Sequence, residues 1–380
     1  MNANILLKLK GHERPITNIL VDDNNNLIST SKDSKLIIWD KYSVSKEIIC
    51  SGTIWFVNTT SSKILTGTAD GFFSLYNYDG ELINSYTDCG PVRFIHFDEK
   101  NNIFYILSKK LLKKESVLSI LDQDLNKICD YEFEIEHNVG YFSDNRIICG
   151  GSDGSLRFLN FENGKINILT TLELHKSEIT DINESNDNLI TSSYDCCLKI
   201  LDKSSLEHRF TFRHSTSILS FSINKNKNII AIGGGPDKGN IAKTSDNGRF
   251  DIALVNILDG EKLFEIDSKH FGPINTIYYS EDKIITGGED GFIHIWDCRN
   301  QWTEKFTLKY MVEESKNNIL MLNQANKDCD SLPSGKQTKN KRRNLKKRIE
   351  KLEEKIKDYE KKIIEFTNTH NLNKFEILSM

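Results

Sequence analysis

Five aspartates recur at a fixed distance ahead of a second marker position, and that recurrence constrains the fold more than any other feature of the chain. The markers are Asp40, Asn77, Asp122, Asn160, Asp202, Asn256 and Asp297, at intervals of 37, 45, 38, 42, 54 and 41 residues. Asp33, Asp70, Asp153, Asp195 and Asp290 each lie seven residues before a marker, and Ser29, Thr66, Cys149, Thr191 and Thr286 lie four residues earlier still. His12, His175 and His270 precede their aspartates by 20 or 21 residues. A unit repeated about every 40–45 residues cannot bury its apolar faces alone, so its copies must stack on one another.

The copy at 270–297 is the best preserved. Alternating apolar runs at 274–279 and 284–286 lead to the turn Glu289-Asp290-Gly291, and a third run ends in Trp296-Asp297. That pattern predicts short strands joined by hairpins. His270, Thr286, Asp290 and Trp296 form the set that marks a WD repeat. His12, Ser29, Asp33 and Trp39 repeat the full set, and His175, Thr191 and Asp195 repeat it without the tryptophan. The expected fold is all-β, a seven-bladed WD-repeat β-propeller over residues 1–308, each blade a four-stranded antiparallel sheet. Closing the ring needs an outer strand for the last blade. Ile5 to Leu9 is the natural supplier, with residues 303–308 as the competitor. The third repeat, which lacks His, Asp and Trp, and the sixth, which carries a polar insertion after Gly233-Gly234-Gly235, are degenerate.

His, Ser or Thr, and Asp together could suggest a hydrolase triad. A triad is needed once, whereas this set returns at the same offsets in three repeats, so it reads as bracing within each blade. The glycine triplet lacks the spacing of a phosphate-binding loop. Cys196 and Cys197, on a predicted strand, would point to opposite faces and could not chelate one metal together. No catalytic residue, cofactor or metal is expected.

The eight cysteines are scattered without a C-x-x-C pair, which fits a reducing cytosol or nucleus, and a cytoplasmic location is expected. No apolar run approaches the ~18 residues of a membrane span, and the N-terminal apolar stretch is too short for a secretory signal. From residue 309 onward the chain has 17 Lys and Arg against 11 Asp and Glu, leaving 33 against 43 for residues 1–308. An acidic body therefore carries a basic tail.

Residues 309–338 read as a polar linker with at most one short helix around Asn317 to Leu322. A heptad follows within 339–367: Leu345, Ile349, Leu352, Ile356, Tyr359, Ile363 and Phe366, in alternating steps of four and three. With Ile at each a position, and with Arg348 and Lys355 placed to face Glu353 and Glu360 of a second helix, the spacing predicts an α-helical coiled coil able to form a parallel dimer. The run 339–348 holds seven basic residues and no acid. It suits a solvated helix start, a weak and nonspecific RNA contact, or nuclear import. A tail at 368–380 ends the chain.

The segments LLKLKGHERPIT (6–17), LTGTADGFFSLYN (65–77), SSLEHRFTFR (204–213), the glycine triplet with its insertion ending GRFD (248–251), and HFGPIN with GGEDGFIHI also resemble subunit I of eukaryotic translation initiation factor 3. The resemblance implies a non-enzymatic scaffold that holds initiation factor 3 subunits B and G during assembly on the 40S ribosome. Carried over by position, it implies Ile200 and Asp202 as contacts for the C-terminal helix of the former. A WD-repeat adaptor of the receptor-kinase-associated type, in signalling or mRNA handling, is the alternative. Nothing in the resemblance explains the heptad tail.

Overall fold

A computed structural model of the chain describes residues 5–110, 115–226, 228–236, 250–280, 283–298, 302–331 and 339–369. Two compact units emerge, Met1–Asp297 and Cys298–Met380.

The first unit is seven four-stranded antiparallel sheets, confirming the propeller. Six are built from consecutive strands, at 16–49, 54–86, 92–133, 137–173, 179–213 and 217–267. The seventh joins β26 (Ile274–Tyr279), β27 (Lys283–Gly288) and β28 (Phe292–Asp297) to β1 (Ile5–Lys10), so the two ends of the propeller share one sheet. Leu7, Lys8, Leu9 and Lys10 pair with Ile295, His294, Ile293 and Phe292. Residues 303–308, the competitor for that place, are helical instead.

Burial falls outward within each blade, and composition follows it. Second strands such as β3 (Leu27–Ser31) and β19 (Asn188–Ser193) are buried at every position. Fourth strands such as β5 (Ser43–Ile49) and β9 (Leu82–Tyr86) are mostly exposed and leave Ile49, Leu82 and Ile83 in solvent. The core is a series of clusters between blades. One of them packs Leu9, Ile293 and Ile295 of the closing sheet against Ile16, Ile37 and Trp39 of the first blade. The third blade, without its polar bracing, uses rings instead: Phe94, Tyr105 and Phe133 lie in one cluster, and Phe94 meets Phe56 edge-on at 5.4 Å.

The residue after each repeat aspartate adopts positive φ, from 66 to 89°, in five blades: Ser34, Gly71, Gly154, Cys196 and Gly291. A tight hairpin demands that conformation, which glycine adopts freely. Cys196 is thus a turn residue rather than the strand residue expected, and β20 (Cys197–Asp202) begins one position later.

The second unit is a helical hairpin of α1 (Trp302–Ser331) and α2 (Lys339–Thr369). One expectation is corrected here. Most of the supposed linker at 309–338 belongs to α1, against which α2 packs. Leu352 and Ile356 are buried, and Leu345, Ile349 and Ile363 are half-buried; the side chains of Tyr359 and Phe366 lie outside the described residues. On α1, Ser315, Asn318 and Ala325 are buried and Val312, Leu322 and Cys329 half-buried, at helical spacing. A partner helix joined by only seven intervening residues has a far higher effective concentration than a separate molecule.

Candidate functional site

Three polar relays run through the interior of the blades. In the first, Trp39 Nε1–H donates to Ser29 Oγ at 2.8 Å, the Ser29 hydroxyl faces His12 Nε2 at 2.8 Å, and His12 Nδ1 faces Asp33 at 3.1 Å. Asp33 also accepts from the Glu13 and Lys35 backbone amides, tying the incoming loop to the turn. Burial lowers the pKa of His12, which keeps the ring neutral, with Nδ1 as donor and Nε2 as acceptor. In the fifth blade His175, Thr191 and Asp195 repeat the arrangement at 2.8 and 3.1 Å, with buried Leu201 in the indole's place. In the seventh, His270 joins Thr286 at 2.9 Å and Asp290 at 3.0 Å, and Trp296 Nε1–H reaches Thr286 at 3.3 Å.

All three histidines are buried, so the relays brace the fold. Ser29→Ala would leave the His12 ring nitrogen and the Trp39 N–H without partners, at a cost of about 2–4 kcal/mol. Ser29→Thr should stay within about 1 kcal/mol of the parent, because Thr191 and Thr286 fill the same role. Thermal denaturation followed by circular dichroism checks both.

Sequence spacing missed two variants of this bracing. In the fourth blade Arg157 bridges Asp153 at 3.1 Å and faces His137 Nε2 at 3.0 Å, replacing the histidine-hydroxyl pair. In the seventh, His294 stacks on His270 with ring centres 4.0 Å apart. An arginine four residues beyond a repeat aspartate would have signalled the first.

The expected partner contacts fare differently. Ile200 is wholly buried between the fifth and sixth blades with Leu198, Ile218 and Ile230, so it has no surface to offer and that expectation is corrected. Strand alternation puts Lys199 on the opposite face of the sheet, where it is half-buried and its Nζ donates to the Leu174 carbonyl. Asp202 is partly exposed and ends β20. Its carboxylate accepts from Ser204 Oγ at 2.6 Å and the Ser205 amide at 2.8 Å, and pairs with Arg209. These contacts hold its pKa well below the usual carboxylate range. The glycine triplet closes β23 (Ile229–Gly235), where a Cβ on Gly234 would meet Ser217 O at 2.0 Å; it serves close packing.

The central channel carries the most open chemistry. The first strand of every blade has a bulge near its start, after the first residue in six blades and after the second, Ile218, in the blade at 217–267. The extra residues are Thr17, Trp55, Arg93, Asn138, Thr180, Leu219 and Asn275, and all seven line one cavity of about 360 Å³. Bulges re-aim side chains, here toward the mouth of the channel.

Comparison with known proteins fits this geometry. The family model for the WD domain, G-beta repeat, matches residues 3–40, 166–202 and 261–297. Those stretches contain the three relays. A Xenopus laevis protein named eukaryotic translation initiation factor 3 subunit I is 29% identical over 311 residues, covering 76% of this chain and 94% of that protein. The chain is a WD-repeat propeller that resembles initiation factor 3 subunit I. The Saccharomyces cerevisiae (strain ATCC 204508 / S288c) protein of that name is 26% identical over 340 residues, covering 81% of this chain and 96% of its own. The human one is 28% identical over 311 residues, covering 76% and 94%. Among solved structures, the computationally designed Ika8 protein matches with a TM-score of 0.57 at 16% identity, covering 77% of this chain and 99% of its own, which bears on the fold alone.

Proposed function

We propose that the chain is the propeller subunit of a translation initiation factor 3 complex, working as a non-enzymatic scaffold in the cytoplasm. It would hold subunits B and G while the factor assembles on the 40S ribosome. One observation carries this reading: relatives named as that propeller subunit align over 94 to 96% of their own length. A propeller with buried relays and an exposed outer strand on each blade suits a binding role.

With Ile200 inside the core, the contact with the C-terminal helix of the first of these partners falls to Asp202 and the exposed edge of β21 (His208–Arg213) beside it. Asp202→Lys is expected to weaken binding of that helix, made as a recombinant peptide, at least about tenfold, near 1.4 kcal/mol. Unchanged binding by a folded variant would remove Asp202 from the interface. The basic start of α2 exposes Lys341, Arg343, Lys346, Lys347 and Arg348, and a weak contact with RNA phosphates is the role we assign to it.

A further inference from the structure

Six of the seven bulged residues around the channel mouth are apolar or have a polar partner. Thr17 faces Thr30 at 3.0 Å, Thr180 donates to the Ile218 carbonyl at 2.7 Å, and Asn275 bonds Glu289 at 2.8 Å. Leu219 is apolar, and Trp55 lies under a guanidinium at 3.5 Å. Asn138 Nδ2 donates to Glu178 at 2.6 Å. The exception is the owner of that guanidinium, Arg93.

Arg93 is half-buried and, among the described residues, none accepts a hydrogen bond from it; its Nε is fully shielded from solvent. The charge of Glu178 acts on Arg93, but the Glu178 carboxylate accepts from Asn138 and takes no hydrogen bond from the guanidinium. Burial pulls the Arg93 pKa down to about 10. Burial, then the charge of Arg93, pulls Lys109 down to about 8. A shielded guanidinium nitrogen without an acceptor is costly, and a guanidinium held over an indole is already positioned for a planar carboxylate. Beside it Asn138 Oδ1, also shielded, has no donor.

We propose that the channel mouth binds an acidic segment of a partner polypeptide, with an Asp or Glu carboxylate on Arg93 and a main-chain N–H on Asn138 Oδ1. The cavity holds far more than one carboxylate, which favours a peptide over a free ion. Asp181 lines the same cavity and, with Glu178, repels a multiply charged phosphate more strongly than a single carboxylate. This site is separate from Asp202 and stands or falls independently of the initiation-factor reading.

The test uses the purified full chain and fluorescence polarisation of two labelled peptides, Gly-Ser-Glu-Gly-Ser and its Gln counterpart. The Glu peptide should bind at least about tenfold more tightly than the Gln peptide, the usual size of a charged hydrogen bond. Arg93→Gln should abolish that preference, and Arg93→Lys, which keeps the charge and guards against misfolding in the first variant, should retain part of it. Inorganic phosphate should compete only weakly. Equal binding of the two peptides, an undiminished preference in a folded Arg93→Gln protein, or phosphate binding more tightly than the Glu peptide would each overturn the proposal.

Discussion

A chain lacking residues 1–10 is expected to melt roughly 10 °C below the intact protein and to self-associate. Deleting β1 removes its pairing with β28, and with it several backbone hydrogen bonds worth about 1 kcal/mol each. It also uncovers the cluster that Leu9 closes together with Ile293, Ile295 and Trp39, at about 2 kcal/mol for the leucine. A loss near 5 kcal/mol in a unit this large corresponds to about 2 °C per kcal/mol. The unpaired edge of β28 then becomes a template for other chains. Deleting residues 298–380 removes no strand among the described residues and should leave the propeller's melt near that of the full chain. Equal melting of the intact and N-terminally shortened chains would show that the ring does not depend on this closure.

Acidification is expected to destabilise the protein between pH 6.5 and 4. Burial, first, and the nearby Arg157 push His137 down to about 4; burial, first, and the nearby His270 do the same to His294. The unfolded chain takes up these protons near 6.5 and the folded one only near 4, so the stabilisation is full above 6.5 and is lost as the pH falls to 4. Each shift of about 2.5 pH units is worth ~3 kcal/mol. His12, His175 and His214 shift in the same direction. Asp181 opposes them: burial raises it to about 6, so it gains stability as the pH falls from 6 toward 3.8, offsetting ~3 kcal/mol at most. The net loss is several kcal/mol. It should appear as a melting temperature that falls by ~10 °C from pH 7.5 to 4.5. A flat or rising profile would mean the histidines are charged in the fold.

The relays were legible in the sequence because every partner sits in one blade. His12, Ser29, Asp33 and Trp39 are held at fixed offsets by one hairpin, and that hairpin repeats. The need for a closing strand was legible for a related reason, since an open edge must be filled, but the choice between residues 5–9 and 303–308 was not. Helix α1 was not legible either: its most buried residues are Ser315, Asn318 and Ala325, which interrupt the apolar period of Val312, Leu322 and Cys329, and the heptads of α2 read as lacking a partner within the chain. Ile200 was misplaced because a marker two residues away says nothing about which way a strand residue points. The ring containing Arg93 was invisible for a further reason: bulges break the two-residue period by which strands are read, and the seven residues share no type.

The most direct test is affinity purification of the intact chain from its native organism, followed by mass spectrometry. Initiation factor 3 subunits B and G are predicted to co-purify with it. Recovery of the intact chain without either of them would contradict the initiation-factor role while leaving the propeller fold untouched.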